Sequence, residues 1–80
     1  MIFDRNAVGA TIKKLRKEKG LSQEVLSGLA DIGRSHLAMI ETGKKHANLE
    51  TVWKIAGAFN MNPSELIRQI EQHKRCPSAK

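Results

Sequence analysis

Eighty residues with 40% hydrophobic side chains but only one Trp, two Phe and no Tyr suffice for one small core and leave no room for a second site-bearing domain. The formal net charge of +6 and the pI near 9.9 favour a polyanionic partner; Lys74, Arg75 and Lys80 supply three of those charges, leaving three for residues 1–73. A lone cysteine, Cys76, rules out an intrachain disulfide, and nothing approaches the ~20 apolar residues of a membrane span.

Taken in order, the chain reads as helices joined by short connections. MIFDRN carries neither the basic segment nor the apolar run of a signal peptide, so a cytoplasmic location is expected. Asp4 is the first candidate N-cap, with Phe3 and Val8 at the two positions of a hydrophobic staple; Asn6 is the alternative cap. Val8, Ile12 and Leu15 give the first helix an inner stripe, Lys13, Lys14, Lys17 and Lys19 lie outside it, and Gly20 ends it. Ser22 caps a second helix, Gln23 to Ala30, with Val25, Leu26 and Leu29 on one face. Asp31 interrupts, and a third helix follows from Arg34 to Thr42. Its inner stripe is only Leu37 and Ile40, and Gly43 is placed to take the left-handed conformation. Such a helix is too short to be stable alone and must be clamped by the fold.

Lys44 to Ala47 forms a basic connection, and Asn48 caps a fourth helix reaching about Phe59. Leu49, Val52, Trp53, Ala56 and Phe59 form its apolar stripe, expected to provide most of the core. Asn60 closes it. Asn62-Pro63-Ser64-Glu65 reads as cap, Pro at the first helical position and an acid at the third, opening a fifth helix with Leu66, Ile67 and Ile70 inside or at an interface. Residues 74–80, KRCPSAK, are a basic tail without apolar periodicity, expected to fray.

Three linked patterns carry a resemblance: Gly9-x-x-Ile12-x-x-Leu15-Arg16, then Gly20-Leu21-Ser22-Gln23-Glu24-x-Leu26, then Arg34-Ser35-His36-Leu37-x-x-Ile40-Glu41-x-Gly43, followed by Leu49 and by Asn62-Pro63-Ser64-Glu65-Leu66. Over about residues 8–67 the chain resembles the helix-turn-helix family of phage repressors, Cro proteins and restriction-modification controller proteins, with the unit itself at 22–43. The resemblance implies an all-α, compact five-helix lambda-repressor-like domain over residues 1–73. Ser27, Asp31 and Gly33 stand where the family favours Ala, Gly and Ser or Thr. Ser27 is still small, Asp tolerates the left-handed region, and a Gly cap costs only a few tenths of a kcal/mol.

The major groove of duplex DNA admits an α-helix, and helix-turn-helix proteins present the start of their second helix to base edges. Arg34 and Ser35 occupy that start; Arg34 has the fork for guanine O6 and N7, and Ala38 and Met39 on the same side suit a thymine methyl. A solvated surface role remains open for Arg34, and partial packing for Met39 and His36. Gln23 at a helix N-terminus, with Thr42, Lys44, Lys45 and Asn48 beyond the third helix, are the candidates for phosphate contacts, which fix register without reading sequence. For the lysines, plain solubility is the other reading. The resemblance gives Arg16 and Glu41 a structural role, as an ion pair setting the angle of the recognition helix.

Enzymatic chemistry is not expected. Ser22, Ser27 and Ser35 lack an evident base with an orienting acid, and no phosphate-cradling glycine loop is present. His73 and Cys76 offer two metal ligands where a closed zinc site needs four, so neither metal nor cofactor is expected. The resulting expectation is a sequence-specific transcriptional regulator, repressor or controller, that binds a palindromic DNA operator as a homodimer through Ile67 and Ile70. The rival is an antitoxin-like module whose main partner is another protein.

Overall fold

The computed structural model describes residues 4–75, all of whose regular structure is helical. The helices are α1 (Arg5–Glu18), α2 (Gln23–Ala30), α3 (Arg34–Glu41), α4 (Leu49–Ala58) and α5 (Pro63–Arg75). α5 thus runs two residues into the segment read as a tail; the rest of that segment, with Cys76, and the Phe3 half of the proposed staple lie outside the described residues.

Helix ends follow local chemistry. Asp4 accepts from the Asn6 N–H at 2.9 Å, Ser22 Oγ from the Val25 N–H at 3.1 Å and Asn48 Oδ1 from the Thr51 N–H at 2.8 Å, each satisfying a first-turn donor that the helix itself leaves over. At the start of α5, Glu65 reaches back to the Asn62 N–H at 3.0 Å, as a capping box does. The turn between α2 and α3 closes on Asp31 in the left-handed region, φ 57°, and α3 ends at Glu41, one residue earlier than the spacing predicts, with Thr42 as its cap and Gly43 at φ 80°.

Every helix contributes to the core. Val8, Ile12 and Leu15 of α1 meet Leu26 and Ala30 of α2, Leu37 and Ile40 of α3, Val52, Ile55 and Ala56 of α4 with Phe59 just beyond it, and Leu66 of α5. Two apolar stripes differ from their sequence reading. On α2 only Leu26 of the predicted trio is buried, with Ser27 and Ala30 completing the inner face while Val25 and Leu29 are exposed. On α4 the buried face is Thr51, Val52, Ile55 and Ala56, leaving Leu49 63% and Trp53 57% exposed. α4 therefore shares the core with four other helices and does not dominate it. The cause is geometric: a stripe wider than the line of contact with neighbouring helices must leave one flank outside. On α5, Leu66 is fully buried and Ile70 packs against the core, whereas Ile67 is 44% exposed.

Candidate nucleic-acid interface

α3 is short and divided lengthwise. Leu37, Ile40 and Glu41 face inward. Arg34, Ser35, Met39 and Thr42 are exposed on the other side, with Ala38 half-buried between the two. His36 is also half-buried.

Glu41 provides the clamp. Its carboxylate accepts from Arg16 Nε at 2.7 Å, Arg16 Nη2 at 3.1 Å and the Gln23 side-chain amide at 3.1 Å, while Arg16 Nη1 donates to the Leu21 carbonyl at 2.8 Å. The Glu41 side chain is 2% exposed. One carboxylate thus ties the end of α3 to α1 and to the first residue of α2. The bidentate fork fixes orientation as well as distance, which a lysine ammonium in place of Arg16 would not. Gly9 completes the α1–α3 approach: a Cβ there would overlap the Ile40 carbonyl oxygen and lie 2.7 Å from that of Glu41. No spacing rule marked Gly9 as a point of close approach, because the neighbour it admits lies some thirty residues along the chain.

The other predicted contact residues fall into two groups. Ser22, Gln23, Glu24, Arg16 and Arg34 line one open depression between the start of α2 and α3. Gln23 has one amide hydrogen on Glu41, leaving its second N–H and the helix N-terminus for an outside acceptor. Beyond α3, the loop folds back so that the Lys44 and Lys45 backbone N–H groups both donate to the Met39 carbonyl, at 2.9 and 3.2 Å, with both ammonium-bearing side chains exposed. Asn48 uses its carbonyl oxygen as the α4 cap, which leaves its NH2 end as the donor. Thr42 is engaged within the protein. Its hydroxyl donates within α3, to the Ala38 and Met39 carbonyls at 3.1 Å each, so its proton is taken up by the helix end. One contact had no sequence signal: Arg5 Nη1 lies 3.0 Å from His46 Nε2, joining residues 41 positions apart. Ile67 and Ile70 lie on α5, which packs against α1 and α4.

The helix-turn-helix family model matches residues 12–66, which takes in the whole of α2, α3 and α4, the second half of α1 with Arg16, and the first turn of α5. The chain belongs to the helix-turn-helix family. Within it, the chain is 40% identical over 65 residues to the control protein C.MunI of a Mycoplasma species, covering 80% of this chain and 88% of that one. It is 30% identical over 60 residues to the control protein C.BamHI of Bacillus amyloliquefaciens, 74% of each. Among solved structures, the restriction-modification controller protein C.AhdI from Aeromonas hydrophila superposes with a TM-score of 0.76 at 36% identity, over 79% of this chain and 96% of that one. Helix-turn-helix proteins of this family are DNA-binding regulators and not an enzyme family, and this chain is one of them.

Proposed function

We propose that this helix-turn-helix protein reads a short stretch of duplex DNA with the outward face of α3 and acts as a homodimer on a two-fold related operator. The observation that carries this is the lengthwise division of α3: apolar residues and a triply bonded carboxylate on one side, Arg34, Ser35 and Met39 exposed on the other. A rigid backing with a free polar face is what base readout requires, because side chains must arrive at base edges already oriented.

In this reading Arg34 donates to guanine, Ser35 bonds a neighbouring base, and Ala38 and Met39 meet a thymine methyl. Gln23, Lys44, Lys45 and Asn48 hold phosphates on either side. Thr42 acts as the cap of α3. Exposed apolar side chains on α4 and α5, Leu49, Trp53 and Ile67, support self-association, with Ile67 and Ile70 as the α5 contribution. The names of the relatives support a controller role in a restriction-modification setting.

Selection of bound duplex from a random pool tests all of this. The expected result is a palindromic consensus, with half-site centres about 34–36 Å apart and preferred over random DNA by ~10³ or more. Enrichment of no sequence, alongside tight capture of a protein partner, would shift the reading to a protein-binding module.

A further inference from the structure

The Arg5–His46 contact is a placement that base readout by α3 does not use. Both side chains are basic, and a guanidinium donating to an imidazole has no opposite charge to gain. The contact is nonetheless fixed by its surroundings. Gly43, at φ 80°, brings the backbone so close to Asn6 that a Cβ on it would overlap the Asn6 side-chain Oδ1 and lie 3.5 Å from its Cα, so the start of α1 abuts the loop that leaves α3. That loop is pinned to α3 by the paired donations to the Met39 carbonyl. Arg5, Lys44, Lys45 and His46, all exposed, therefore belong to one surface at the C-terminal end of the recognition helix. Of the acids closest to these residues in the chain, Asp4 caps the Asn6 N–H, and Glu50 on the first turn of α4 lies 3.8 Å from Lys54. Three permanent cations and an imidazole gathered at the edge of a DNA-reading face suit an anion supplied from outside.

We propose that Arg5 is a further DNA-phosphate contact, with His46 as the positioning residue that holds its guanidinium beside Lys44 and Lys45. This rests on the reading of α3 as a DNA-binding helix. The grip on the backbone at this end of α3 is then made by two segments of chain, the start of α1 and the loop 43–46, and the guanidinium fork supplies the directional part that two lysines lack.

The test is the salt dependence of binding to a short random-sequence duplex, followed by fluorescence anisotropy, with a thermal melt of each variant to show that it is folded. Each phosphate contact contributes about 0.9 to the log–log slope. Arg5→Gln is expected to lower the slope by about 0.9 per protomer and Arg5→Lys to keep it. Lys17→Gln, which removes the same charge from the far end of α1, is expected to leave the slope unchanged. His46→Ala is expected to weaken binding roughly 2- to 10-fold, and His46→Gln, whose carbonyl can still accept from Arg5, to restore most of the loss. A wild-type slope in Arg5→Gln, with the Lys44→Ala, Lys45→Ala double variant flattened, overturns the role of Arg5 alone. Unchanged slopes in both overturn the phosphate reading of the whole loop, and salt-independent binding by the wild type overturns the DNA reading beneath it.

Discussion

Replacing Glu41 by Ala removes the one acceptor shared by Arg16 and Gln23. The Arg16 guanidinium would keep only the Leu21 carbonyl as a partner, in a site where its side chain is 11% exposed. Breaking a buried ion pair from one side costs about 3–5 kcal/mol, and the slight exposure of Arg16 favours the lower end, about 3 kcal/mol. A domain of this size has on the order of 4–12 kcal/mol of stability in total. At about 4–8 °C per kcal/mol, the melting temperature should fall by at least about 12 °C in a circular-dichroism melt. The pair is then isolated by a double-mutant cycle with Arg16→Met and Glu41→Leu. Removing both charges leaves neither one buried alone, so the double variant should regain most of what each single variant loses. A melt for Glu41→Ala within about 3 °C of wild type, or a coupling energy within about 0.5 kcal/mol of zero, would refute the idea that this carboxylate clamps α3.

Arg34→Ala should relax preference at one base position by about 1–3 kcal/mol in competition binding, whereas equal loss on every sequence would reassign Arg34 to phosphate. Gly9→Ala places a methyl against the α3 backbone, which no rotamer change relieves; a loss of about 1–3 kcal/mol in urea unfolding is expected, and a neutral result would mean that α1 and α3 can separate freely. Asp31→Gly relieves a left-handed residue and removes a negative charge from the C-terminal end of α2. It should raise the melting temperature by about 2–6 °C, and a decrease would show that the Asp31 side chain stabilises the turn.

Most helix boundaries were legible in local chemistry: Asp4, Ser22 and Asn48 cap, Gly20 and Gly43 stop, and Pro63 with Glu65 opens α5, while α3 ends one residue before and α5 two residues beyond the expected place. The inward residues of α3 were legible for the same reason, since a nine-residue stretch with two large aliphatics has one way to face a core. What failed was the choice between the flanks of a broad apolar stripe. Leu49 and Trp53 obey helical spacing as well as Ile55 does, and only the position of neighbouring helices puts Ile55 inside and Trp53 out. Side-chain partners were harder still. That the Thr42 hydroxyl turns into its own helix, or that Gln23 shares Glu41 with Arg16, depends on distances that residue identity does not encode. Arg5 had no signal, since nothing near it in the chain hints at a loop 41 residues away.

Gly33 caps α3 through its backbone alone, without a side chain to close over the first turn. The leading amide N–H groups of that helix, which helical geometry leaves unbonded, are therefore directed at the surroundings together with the positive end of the helix dipole. Any polyphosphate backbone can accept from them, whatever bases it carries. The tip proposed to discriminate between bases would thus also provide a weak, composition-blind adhesion, the property that lets a protein slide along a chromosome and sample many wrong positions before it stops at a right one.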